Sequence, residues 1–168
     1  LNSNMMVYSF CQAFIVAGFC EETIKFMIVR KFVYNNVHFD EIMDGVVYTI
    51  VASLGFACIE NILYVFEGGL TVALMRAVSA VPLHAFASGI MGYFIGKAKF
   101  SKTNSNHYMY KGLVIAIGIH GTYNFVLFIS PAYGFIYSFL IFPILFIAYK
   151  KLKFYIDSAV KEDLSENI

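Results

Sequence analysis

Five runs of mostly apolar residues, each near the length needed to cross a bilayer, limit what this chain can become. A spanning helix takes about 20 such residues. The runs cover residues 5–29, 45–66 ("GVVYTIVASLGFACIENILYVF"), 70–96 (containing "RAVSAVPLHAFASGIMGYFIG"), 112–130 ("GLVIAIGIHGTYNFVLFIS") and 132–149 ("AYGFIYSFLIFPILFIAY"). Composition agrees: 60% of the 168 residues are apolar and 14% are charged, where soluble domains carry about a quarter charged residues. The expected fold is all-α, a polytopic transmembrane helix bundle of about five spans. Residues 1–155 are read as the transmembrane domain and 156–168 as a polar cytoplasmic tail, expected to be a frayed helix.

Basic residues set the expected topology. Ten of the twelve lie in segments that a five-span chain puts on one side: Arg30 and Lys31, then Lys97, Lys99, Lys102 and Lys111, then Lys150, Lys151, Lys153 and Lys161. The opposite loops, "EGG" at 67–69 and "PAYG" at 131–134, carry none. The positive-inside rule then puts the amino end outside and the tail in the cytoplasm. A soluble bundle has no reason to sort its charges this way. The lysines lie beside apolar spans and not along one face of a soluble fold, which excludes a nucleic-acid patch. Cys11, Cys20 and Cys58 have no paired spacing and are read as small packing residues. The chain begins with Leu, so an upstream segment is expected. Its richness in Asn, Ile, Lys, Phe and Tyr points to an AT-rich bacterial genome, and the expected location is the bacterial cytoplasmic membrane.

The spans are not uniformly apolar, and that carries the functional argument. Glu21, Glu22, Lys25, Glu60, Asn61, Arg76, His84, His120 and Asn124 all fall within them. A charged side chain at mid-bilayer costs about 2.5–3.5 kcal/mol on insertion scales, so such groups mark a functional site by default. Glu22 and Lys25 are i,i+3 and Glu21 and Lys25 are i,i+4, so Lys25 can neutralise one glutamate at close range. Adjacent residues point in different directions, which leaves the other glutamate for a different neighbour and for acid–base work. The bland alternative is a structural ion pair that fixes helix packing.

His120 and Asn124 share one face of the fourth span, one turn apart, so Asn124 can orient the imidazole or donate to an oxyanion. Pro82 removes a helix hydrogen bond just before His84, which predicts a kink that opens a cavity there. Glu60 and Asn61 lie one helix over, with Phe56 a turn before. For Arg76, pairing with Glu60, pairing with Glu67 and snorkelling outward are all open. Asp44 is read as a helix amino-end cap. At 1.5 Å per residue, Glu22 and His120 lie roughly 12 and 13 Å from the cytoplasmic ends of their spans, His84 roughly 20 Å and Glu60 roughly 24 Å. One cluster is permitted by these depths.

Four motifs carry a resemblance: "EETIK" (21–25), "GFACIEN" (55–61), "HAFASGIMG" (84–92) and "HGTYN" (120–124), in order on four successive spans. Together they resemble the PrsW family of intramembrane proteases, within the larger group of CAAX-type and bacteriocin-processing membrane proteases. The similarity covers about residues 18–126. It implies that Glu21 and Glu22 supply the catalytic carboxylate, that His120 and Asn124 belong to the site, and that Glu60 and His84 complete it. The wider group has FxxxH as its second motif; here Phe56 is followed by Glu60 in the histidine position, with His84 on the next span. The substrate implied is a single-span membrane protein, such as an anti-sigma factor.

Two hydrolytic mechanisms fit these residues. In one, Glu60, His84 and His120 hold Zn²⁺, with one of Glu21 and Glu22 as an alternative carboxylate ligand and the remaining glutamate as base. In the other there is no metal: a glutamate activates water while His120 and Asn124 steady the oxyanion. The expected function is an intramembrane endopeptidase, with a membrane protein or peptide as substrate and the lipid bilayer as surroundings. A proton- or ion-coupled transporter and a non-catalytic membrane scaffold are the alternatives.

Overall fold

The computed structural model describes residues 3–166, and among them there is no strand. Five long helical segments follow one another: α1 (Ser3–Val33), α2 (Ile42–Val78), α3 (Ala80–Phe100), α4 (Ser105–Tyr133) and α5 (Ile141–Glu166), the last entered through a 3₁₀ turn at Phe135–Leu140. Four stretches are long and apolar enough to cross a membrane, namely α1, α2, α4 and Phe135–Ser165. The exception is α3, whose Pro82, His84, lysines and glycines lower its hydropathy. The reason is its position: α3 is buried along most of its length and meets helices rather than lipid. Large apolar side chains such as Phe32, Val51, Phe66 and Phe146 point outward from its neighbours.

Glycines let α2 and α3 approach backbone to backbone. A Cβ on Gly92 would collide with the carbonyl oxygen of Gly45, and one on Gly96 with that of Ile42. Gly92 and Gly96 are spaced as the small-xxx-small pairs that pack membrane helices closely. On the other side of α4, Gly121 takes the ring of Phe14 from α1 against its backbone, and Phe10 stacks on Phe14 with Phe125 edge-on to Phe10.

Three backbone features depart from the sequence reading. The third run was expected to begin at residue 70, but residues 70–78 form a separate helical stretch joined to α2 across Gly69, whose φ of +74° breaks the helix. Only glycine adopts that backbone without strain. The kink expected before His84 is a full break at Ser79, so Pro82 sits in the first turn of α3, where its missing N–H costs nothing. Finally, α1 winds as π-helix over Gln12–Glu21 and Val29–Val33, with an α-helical stretch at Glu22–Ile28 between them.

The tail is docked, not frayed. Asp163 accepts hydrogen bonds from the backbone N–H groups of Ile42 (2.7 Å) and Met43 (3.0 Å) at the start of α2. Its neighbour Glu162 accepts from Tyr93 and pairs with Lys97 on α3. Asp44 accepts from the N–H groups of Asp40 and Glu41, as a capping residue should. Lys99 donates to the carbonyl oxygen of Tyr34. The basic end of α3 therefore meets the end of α1 and the tail at one end of the bundle, whereas Lys151 lies along α5 beside Gly118 and Thr122 of α4. The cysteines are free; Cys20 and Cys58 are exposed on outer helix faces, so packing is not their role.

Candidate active site

The polar residues of four helices converge on one buried cluster. Placed at the start of the α-helical stretch in α1, Glu22 and Lys25 form an i,i+3 pair at 2.6 Å with both side chains fully buried. Lys25 Nζ also lies 2.7 Å from His84 Nδ1, and over the ring of Phe56 at 4.8 Å. From α2, Glu60 Oε2 lies 3.0 Å from His84 Nε2. From α4, His120 Nδ1 lies 2.8 Å from Glu22 Oε1. The two imidazoles stand edge to face with centroids 4.8 Å apart.

His84 explains how residues at different depths meet. It lies between them, with Nδ1 turned towards Lys25 and Nε2 towards Glu60. Its tautomer follows from its partners. An ammonium can only donate, so Nδ1 of neutral His84 accepts and Nε2–H donates to Glu60. The same logic applies to His120: Glu22 is an acceptor, so Nδ1–H donates and the lone pair of neutral His120 is on Nε2. That nitrogen faces Glu21 Oε2 at 3.9 Å. Glu21 Oε2 is buried and has no hydrogen-bond partner among the described residues.

Each imidazole is thus held by a carboxylate, Glu22 for His120 and Glu60 for His84. Carboxylate–histidine pairs of this kind orient metal ligands. One ligand atom each from Glu21, His84 and His120 lie within 4.8 Å of one another. Three carboxylates face two basic side chains, Lys25 and Arg76, so one negative charge is left over when all are ionised. An orphaned carboxylate oxygen, an available imidazole lone pair and surplus negative charge together fit a cation. His84 would join it by releasing Lys25 or Glu60.

The expected residues fall into place unevenly. Glu21, Glu22, Glu60, His84 and His120 come together, and Lys25 balances charge as expected. The expected metal set joined the histidines to Glu60, or to one of Glu21 and Glu22; the carboxylate gathered with both histidines is that of Glu21, and of the two histidines Glu60 reaches only His84. Arg76 settles on Glu60, with Nη2 2.9 Å from Oε1. Asn124 is half-buried one turn from His120 and makes no hydrogen bond among the described residues. Two serines escaped the sequence reading. Ser88 Oγ lies 3.2 Å from Glu22 Oε2 and 2.8 Å from Ser53 Oγ, and Ser53 donates to the carbonyl oxygen of His84. The i,i+4 spacing of Ser88 from His84 was the available signal.

The model of the PrsW family of intramembrane metalloproteases matches residues 1–149. The chain belongs to this family. Proteins named Protease PrsW are among its relatives. The one from Geobacillus kaustophilus is 37% identical over 142 residues, which cover 84% of this chain and 63% of that protein. The Bacillus subtilis protein is 42% identical over 120 residues, covering 71% and 55%. That of Clostridioides difficile is 37% identical over 124 residues, covering 70% and 52%. This PrsW-family chain therefore spans between about half and just under two thirds of the length of these curated relatives. No solved structure matches it. Family and apolar helices together make it an integral membrane protein, and neither a transporter nor a scaffold is favoured.

Proposed function

We propose that this chain is a membrane-embedded endopeptidase that hydrolyses a peptide bond of a membrane-embedded or membrane-proximal protein, with Glu21, His84 and His120 holding a divalent cation, Zn²⁺. The observation that carries the reading is the gathering of those three donors around the unpartnered oxygen of Glu21. Two histidines with one carboxylate form a usual catalytic zinc set. When bound, such an ion polarises the scissile carbonyl and lowers the pKa of a water.

The chain's own residues do the rest. Glu22, fully buried and shared among Lys25, His120 and Ser88, fixes the His120 ring. Glu60 is the carboxylate left to carry a proton from the attacking water to the departing amide nitrogen. Its side chain and that of Glu21 each keep 19% of their surface accessible, which marks the side from which water and substrate enter. Asn124, on the His120 face of α4, is available to donate to the oxyanion. We place the amino end outside and the tail in the cytoplasm, on the sorting of basic residues. For the substrate we propose a single-span membrane protein, the class that the resemblance to the family implies.

The test is cleavage of a single-span reporter protein in proteoliposomes by wild type, Glu21→Gln and Glu60→Gln, with bound metal measured in parallel. Glu60→Gln should keep its metal and lose cleavage, while Glu21→Gln should lose both. If Glu60→Gln loses metal and Glu21→Gln keeps it, the two glutamates exchange roles. Undiminished cleavage in both variants would end the proposal.

A further inference from the structure

The one charged residue of the spans with no part in the proposed chemistry is Arg76, and it sits on an unusual piece of backbone. Gly69, at φ +74°, turns the chain, and residues 70–78 run back along the end of α2. Three contacts hold this return. Asn61 Nδ2 donates to the carbonyl oxygen of Ala73 at 3.3 Å. The Arg76 guanidinium lies over the ring of Tyr64, 3.7 Å from its centroid. Arg76 Nη2 pairs with Glu60 Oε1 at 2.9 Å. Leu70, Leu74, Met75 and Val78 face outward. The stretch thus shows an apolar surface to its surroundings and delivers a single cation to the cluster.

We infer that Arg76 is a positioning residue, which fixes the Glu60 carboxylate so that one oxygen serves the guanidinium and the other the Nε2–H of His84. Glu60 has only two oxygens. With Oε1 taken by Arg76 at 2.9 Å, Oε2 has one orientation left, against His84 at 3.0 Å. A glutamate has three rotatable bonds, and without Arg76 nothing on the Oε1 side selects this one. The return at Gly69 is what brings a residue sixteen positions further along the chain onto Glu60. Arg76 is itself held from the other face by Tyr64, which stacks on the planar guanidinium as it would not on an ammonium.

The inference rests on the proposed hydrolysis for its kinetic readout only. The tests are nitrogen-15 spectra of ring-labelled histidine in metal-free protein, and kcat and KM with the single-span reporter. In the spectra of wild type, His84 carries its proton on Nε2 in a strong hydrogen bond. Arg76→Gln should weaken that signal, and kcat should fall by about tenfold to a hundredfold, the usual cost of losing an outer-shell partner, with KM unchanged. Arg76→Lys should recover part of both. In the Glu60→Gln background, where cleavage is already lost, Arg76→Gln should leave the His84 spectrum as Glu60→Gln alone sets it, because Arg76 acts through Glu60. An unchanged His84 signal in a folded Arg76→Gln protein would overturn the inference, as would an equal further change of that signal in the Glu60→Gln background. Should Arg76→Gln not fold, the wild-type spectrum decides: a proton on Nδ1 of His84 contradicts the arrangement. A protein without protease activity leaves the spectra as a complete test.

Discussion

Lys25 is the residue whose removal the structure prices most directly. Its ammonium is fully buried and touches Glu22 Oε1 at 2.6 Å and His84 Nδ1 at 2.7 Å. Lys25→Met keeps the volume and deletes the charge, leaving Glu22 ionised in the interior. Breaking a buried pair from one side costs about 3–5 kcal/mol. Glu22 keeps one full donor, His120 Nδ1–H at 2.8 Å, and a share of the single Ser88 O–H at 3.2 Å, which also faces Ser53 Oγ. Hydrogen bonds to a charged group contribute about 1.5–3 kcal/mol each, so the loss should fall near the lower end, about 3 kcal/mol. Adding Glu22→Gln removes the stranded charge, and the double variant should regain most of the Lys25→Met loss, about 2 kcal/mol, where independent losses would add. The assay is reversible unfolding of detergent-solubilised protein in a graded SDS titration. A Lys25→Met protein within about 0.5 kcal/mol of wild type, or two losses that simply add, would refute the reasoning.

Other outcomes follow from single contacts. Gly92→Ala, which sets a methyl against the Gly45 carbonyl, should destabilise by about 1–3 kcal/mol in the same titration. Gly118→Ala, where a Cβ meets nothing within 4 Å, should be neutral or stabilising by up to about 1 kcal/mol. Asp163→Ala removes two hydrogen bonds to the start of α2 and should cost about 1–2 kcal/mol, with faster proteolysis at the tail. Asn124→Ala should lower kcat about a hundredfold or more in the reporter assay while bound metal stays constant.

The cluster was legible because charge in a membrane is costly, so Glu21, Glu22, Lys25, Glu60, His84 and His120 each announced themselves within apolar runs. Pairing was legible where the local helix was regular: Glu22 and Lys25 lie in the one α-helical stretch of lower α1, and their i,i+3 spacing read correctly. The partner of Glu21 was not, because Glu21 ends a π-helical stretch in which the usual 100° rotation per residue does not hold. Whether Glu60 or Glu21 joins the two histidines depends on helix rotation, which spacing within one helix does not contain. The return at Gly69 looked like a loop between two spans, since "EGG" fits both. The tail looked frayed because its anchors, Tyr93, Lys97 and the backbone of Ile42 and Met43, are all distant in sequence.

Metal content of the detergent-purified protein, by elemental mass spectrometry, tests the central claim most directly. Wild type should carry one zinc ion per chain, and His84→Ala, His120→Ala and Glu21→Gln should each lose it while keeping the wild-type helical signal. A well-folded wild-type protein that takes up no divalent metal under chelator-free, zinc-supplemented conditions would contradict it.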